Sequence, residues 1–159
     1  MRLLNIIFIT LFSIGLMNHS LAQPCKKYHK KNCGAAKSEN WKVNSQSKSG
    51  MISKGMTSEL NFVIYKGQDY KISVCTEAFL GSEIEFKIKD TKSNIILYDN
   101  SKYKFSPFFE FSCASSRRLT IIVKIPFDAS KDKEKDKDKG ACMGLLIENM
   151  TTPSMDYGQ

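Results

Sequence analysis

Histidine is scarce in this chain: of two in 159 residues, only His29 lies beyond the first 22. A Ser-His-Asp arrangement would have to use it, yet the G-x-S-x-G elbow that presents such a serine is missing. Phosphate-cradling and dinucleotide-binding glycine patterns are missing too. No apolar run beyond the N-terminus is long enough to cross a bilayer, and none downstream of Leu60 sustains helical spacing. The length allows one domain and excludes a large multidomain enzyme. The chain therefore reads as non-catalytic, with no cofactor expected.

The first 22 residues read as a signal peptide. Arg2 supplies a short positive region, Leu3 to Met17 an apolar one, and Ser20-Leu21-Ala22 places small residues where a signal peptidase cuts. A membrane anchor would want a longer run and a basic flank, whereas Asn18-His19-Ser20 is polar. A lipoprotein reading fails because Cys25 follows Gln23-Pro24. Cleavage near Ala22 leaves 137 residues, secreted or periplasmic. Between Gln23 and Ser58 stand eight lysines against one acid, Glu39, and from Glu59 onward 15 basic residues balance 15 acidic ones. The net charge is thus lodged in a basic N-terminal segment. Such a segment suits an anionic surface, an envelope protein or an acidic glycan. Nucleic acid is not expected: export removes the chain from it, and the segment has no arginine to fork onto phosphate. The candidate contacts are Lys26, Lys27, Lys30 and Lys31, with Tyr28 and Trp41 as sugar-stacking rings, although Trp41 also fits a plain packing role on a sheet edge.

From there on the pattern is one of short apolar runs broken by turn residues. A strand near Met51 to Met56 precedes Leu60 to Lys66; Tyr70, Ile72 and Val74 alternate with Lys71 and Ser73. Ile84, Phe86 and Ile88 alternate with charged residues, and Ile95 to Tyr98 follows. Phe109 and Phe111 alternate with Glu110 and Ser112, Leu119 to Ile125 stops at Pro126, and Cys142 to Glu148 is the last run. About eight strands at such spacing predict an all-β, antiparallel two-sheet sandwich over residues 49–150, preceded by a basic, irregular or briefly helical segment at 23–48 and followed by a polar tail at 151–159. Lys131 to Lys139 (KDKEKDKDK) is expected as a flexible, solvated loop; neither register starting at Asp132 or Glu134 puts Gly sixth and Glu twelfth, as a calcium loop of the EF-hand type requires.

Five cysteines (Cys25, Cys33, Cys75, Cys113, Cys142) allow at most two disulfides and leave one thiol, with 15 possible arrangements. Cys25, His29 and Cys33 are spaced by four. On a helix they would line one face as soft metal ligands, and Cys25 and Cys33 would then lie about 12 Å apart, too far to bridge each other. The alternatives are a disulfide within a nonhelical loop, or two bridges pinning the basic segment to the sandwich. A basic site without a fourth ligand favours disulfides, and a thiol redox role is the weaker option.

Several motifs carry a family likeness. Gly67-Gln68-Asp69-Tyr70-Lys71-Ile72 opens a strand, Glu85 to Lys89 runs into Asp90, Leu97-Tyr98-Asp99-Asn100 precedes Phe109-Glu110-Phe111, and Leu119 to Val123 and Leu145-Leu146-Ile147 follow. In these features Lys66 to Pro126 resembles the bacterial pre-peptidase C-terminal (PPC) type of β-sandwich. Cys25-x-x-Tyr28-His29-x-x-x-Cys33, Gln46-Ser47-x-Ser49 and Tyr65-Lys66-Gly67-Gln68-Asp69-Tyr70 make the whole chain similar to small signal-bearing proteins of Bacteroidetes bacteria. The resemblance implies an exported accessory or binding module without chemistry of its own. The sequence-level expectation is such a module, with glycan or envelope-polymer binding as the alternative and thiol or metal chemistry at Cys25, His29 and Cys33 behind both.

Overall fold

A computed structural model describes residues 25–36 and 38–153. The signal peptide at 1–22 with its cleavage point, and residues 154–159 of the polar tail, lie outside the described residues. Among the described residues one short helix, α1 (Tyr28–Asn32), precedes nine strands: β1 (Lys42–Val43), β2 (Lys48–Ser53), β3 (Thr57–Ile64), β4 (Gln68–Thr76), β5 (Glu85–Asp90), β6 (Ile96–Asp99), β7 (Phe108–Cys113), β8 (Arg117–Lys124) and β9 (Gly140–Thr151). All pair antiparallel. In one sheet β9 lies between β4 and the consecutive pair β1 and β2, and β7 closes the far side; the other runs β3-β8-β5-β6. The chain is the all-β two-sheet sandwich that its alternations predict. β1 and the start of β2 fall within residues 23–48, so the basic segment is woven into the sheet through β9.

The strands form where the sequence alternates. Tyr70, Ile72 and Val74 of β4, Phe86 and Ile88 of β5, and Leu119, Ile121 and Val123 of β8 all point into one core, together with Phe62 and Ile64 of β3 and Leu145 and Ile147 of β9. The β3–β4 hairpin explains one sequence motif. Gly67 takes φ +77°, which favours glycine. Tyr70 reaches back so that its hydroxyl accepts the Tyr65 amide at 2.9 Å and donates to Gln68 Oε1 at 3.2 Å.

The β6/β7 side of the sandwich is closed by aromatic rings. Tyr70, Phe111, Phe109, Tyr98 and Tyr103 stack in succession, with centroids 5.7, 5.5, 3.9 and 5.3 Å apart. The connection there turns on Asn100, which is fully buried. Its Oδ1 accepts the Phe86 amide at 2.8 Å, and its Nδ2 donates to the carbonyls of Ile84 at 2.8 Å and Ser106 at 3.2 Å.

The charged run at 131–139 is largely solvated and laced both within itself and to Lys54, Phe127 and Asp128. Asp132 pairs with Lys54 and accepts the Asp128 amide. Glu134–Asp136 forms one 3-10 turn in which the Asp136 carboxylate accepts the Lys133 amide at 3.0 Å. The Ser130 hydroxyl and amide, then the Lys131 ammonium, hold the Asp128 carboxyl down at about 2. Lys137 lies 4.3 Å over the Phe127 ring.

Asn100→Ala leaves a buried amide and two carbonyls without partners. Urea denaturation should show a loss of at least roughly 1–3 kcal/mol, the cost of a single orphaned group.

A disulfide-fastened cationic strap as the candidate functional site

β9 presents Leu145 and Ile147 to the core, so its alternate residues Cys142, Gly144, Leu146 and Glu148 face out of the sheet. All four are nevertheless buried. Residues 25–36 lie across them as a strap, a third layer on the outer face of this sheet. Five residues are too few for α1 to hold by its own hydrogen bonding, and Lys27 before it takes φ +60°. Covalent fastening supplies what local propensity does not.

Cys25 bridges to Cys142 of β9 and Cys33 to Cys75 of β4, with Cα separations of 5.3 and 5.1 Å. The two sulfurs offered as metal ligands beside His29 are therefore spent in disulfides, each reaching the sandwich from one end of α1. Cys113 is the leftover thiol, buried on β7, its Sγ–H donating to the Ser115 carbonyl at 3.2 Å. Of the pairings that the cysteine count left open, the structure takes two bridges that pin the basic segment down.

Noncovalent contacts finish the seam. Gly144 sits directly beneath α1: a Cβ there would fall 2.7 Å from His29 Cα and 2.9 Å from both Cys33 Sγ and Cys75 Sγ. Only a glycine permits that approach. Glu148, buried beneath the end of the strap, accepts the Ala36 amide on both carboxylate oxygens at 3.1 Å, which meets the demand a buried carboxylate makes for a donor. Ser49 of β2 accepts the His29 amide at 2.8 Å and lies 2.6 Å from His29 Nδ1. The hydroxyl has one proton and two lone pairs, so it bonds Nδ1 with either neutral ring tautomer while accepting the amide. Burial, then the Lys30 charge, lowers the His29 pKa below its ordinary 6.5.

The Gln46-Ser47-x-Ser49 motif belongs to the same construction. The Gln46 side chain pairs with both backbone groups of Val63, at 2.9 and 3.1 Å, joining the two sheets. The Ser47 hydroxyl accepts the Ile147 amide at 3.0 Å, and Ser49 holds His29.

The sequence-level candidates divide accordingly. Lys26, Lys27, Lys30 and Lys31 are all exposed on the strap. Tyr28 is half-buried beside them; burial, then the Glu77 charge, raises its pKa. Trp41 is half-buried ahead of β1, its amide donating to the Ser38 carbonyl at 3.2 Å. Neither ring joins the aromatic stacking seen among the described residues. Sequence reasoning missed Ser49, Gly144 and Glu148, the residues that seat the strap; the unbroken apolarity of Cys142–Ile147 was the signal that β9 is covered on both faces. No helix among the described residues is long and apolar enough to cross a membrane.

No protein-family model matches the sequence, and no curated protein matches it. Among solved structures, the chain is similar to Aeromonas hydrophila PliG, a periplasmic lysozyme inhibitor of g-type lysozyme, at 12% identity and a TM-score of 0.41, over 74% of this chain and 90% of that one.

Removing the long-range bridge with Cys25→Ser and Cys142→Ser should cost about 2–5 kcal/mol in urea denaturation and open the strap lysines to trypsin. The lowered His29 pKa gives a sign as well. The stabilisation of the neutral ring is complete above pH 6.5 and is lost as pH falls through 6.5 toward the folded-state value. Between pH 7.5 and 5 the wild type should therefore lose more stability than His29→Gln, measured as the shift in urea midpoint.

Proposed function

We propose that this is an exported, non-catalytic β-sandwich protein that binds an anionic face of an envelope protein through the strap. The carrying observation is that Lys26, Lys27, Lys30 and Lys31 are exposed on a backbone fixed to the sheet by two disulfides. A cationic surface held in place loses less freedom on docking than a loose lysine tail does, and clustered like charge steers an acidic partner toward it. The disulfides suit an oxidising compartment outside the cytoplasm, in line with a signal peptide at 1–22. The resemblance to PPC-type modules supports the same kind of role.

Anionic glycan or envelope polymer is the competing ligand, with Tyr28 and Trp41 as stacking rings; their half-burial leaves less free ring face for a sugar. Thiol or metal chemistry at Cys25, His29 and Cys33 is not proposed, since both sulfurs are bonded.

The test is cosedimentation of the mature protein with cell-envelope fractions from the producing organism. Wild type should sediment with them and be released by salt. Replacing the four strap lysines by glutamine should cut the bound fraction severalfold and flatten the salt response. Protease treatment of the envelopes should abolish binding if the partner is a protein, and glycan stripping should abolish it if the competing reading holds. Association unchanged by the four substitutions would overturn the role of the strap.

A further inference from the structure

The β2/β3 side of the sandwich is built differently from the aromatic-filled side. β2 belongs to one sheet and β3 to the other, so no ladder of hydrogen bonds joins them along this edge. Between them a crevice of about 300 Å³ opens toward the core, at the small end of the range for ligand sites. Its floor is made of Ile121 and Val123 of β8 with Met143 and Leu145 of β9, and Met56 borders it with 52% of its surface exposed, while the side chain of Met51 lies on the outer face of β2 over Gly140. Unbranched thioether side chains of this kind adapt to the shape of an apolar guest.

Two residues of β2 give the crevice its character. Ile52 packs in the core, so by strand alternation Gly50 and Lys48 face inward as well. A Cβ on Gly50 would meet nothing within 4 Å: the space that a side chain would fill at this edge is empty. Lys48 stands at the start of the strand, exposed, lining the same crevice and joined to no carboxylate among the described residues. Glu59 also borders the opening but alternates with inward-facing Leu60 and Phe62, which turns its carboxylate to the outer side of β3. The inward-facing charge is therefore positive.

We infer that this crevice binds a single-chain amphiphile with an anionic head, its tail laid over Met143 and Leu145 in the space left by Gly50 and its head at the Lys48 ammonium. The volume holds roughly ten water-sized groups, which suits a tail of about eight to ten carbons. This site is separate from the strap and stands whether or not the strap binds an envelope protein.

Calorimetry on the disulfide-bonded mature protein tests it, with decanoate and decyltrimethylammonium as probes below their self-association concentrations. Decanoate should bind at one equivalent, and the cationic probe with the same tail at least tenfold more weakly. Gly50→Val should abolish decanoate binding without lowering the thermal midpoint, and Lys48→Gln should weaken it severalfold. The strap variant with four glutamines should bind decanoate as wild type does, which separates this site from the strap. Methyl NMR of the methionines gives a readout that needs no variant: decanoate should move Met56 and Met143 and leave Met150 in place. Absence of binding to wild type would overturn the inference, as would binding that neither substitution changes. It would also be overturned by methionine shifts that follow protein concentration alone with a doubled sedimenting mass, since the occupant would then be a second copy of the chain.

Discussion

Burial of both faces of β9 is the constraint on which this structure turns. A strand in a two-layer sandwich ordinarily keeps one side for water and therefore alternates. β9 cannot: its inner residues complete the core, and its outer residues Cys142, Gly144, Leu146 and Glu148 are apolar, small or in need of a donor. Something must cover them, and the strap is that cover. The requirement fixes the residue types at the seam. Gly144 lets the backbone of α1 descend, Glu148 takes the Ala36 amide, and the bridges to Cys142 and Cys75 replace the cohesion that five helical residues lack. The lysines then point outward because the opposite side of the strap is occupied.

The two lateral openings of the sandwich receive opposite treatments. On the β6/β7 side, stacked rings from Tyr70 to Tyr103 fill the gap, and Asn100 satisfies the backbone that must turn there. On the β2/β3 side the sheets are held by one polar clamp, Gln46 on Val63, while Gly50 withholds the side chain that would close the space. A packed interior normally leaves few voids, so an opening maintained by a glycine on an inward-facing strand position is a local choice of residue.

How far the sequence revealed this follows from the range of the interactions involved. Strands such as β5, with Phe86 and Ile88 between charged neighbours, declare themselves because burial has a period of two and is written in adjacent residues. β1, only two residues long, carries no period to read and is indistinguishable in sequence from the basic segment around it. The strap is half visible: lysine clustering and the four-residue spacing of Cys25, His29 and Cys33 are local, and they mark a distinct segment for which two bridges to the sandwich are one of the open pairings. The choice of Cys142 and Cys75 as partners is a contact over 117 and 42 residues, and nothing local encodes it. Gln46 and Ser47 looked like a motif without a role, because their partners Val63 and Ile147 lie in other strands.

The bridge between Cys25 and Cys142 also imposes an order of events. Cys25 is the first of the five cysteines in the chain and its partner is the last, so the strap cannot be locked until the final strand has slotted between β2 and β4. Cys33 and Cys75 can join earlier, which tethers the segment near its destination while the seat is still missing. Throughout that interval Cys25 is exposed to mispairing with its neighbours, and Cys113 is withdrawn from that competition only once β7 has packed against β4. The strap thus precedes in the chain every strand it is fastened to, and its assembly behaves like a clasp that closes only once the last strand is in place.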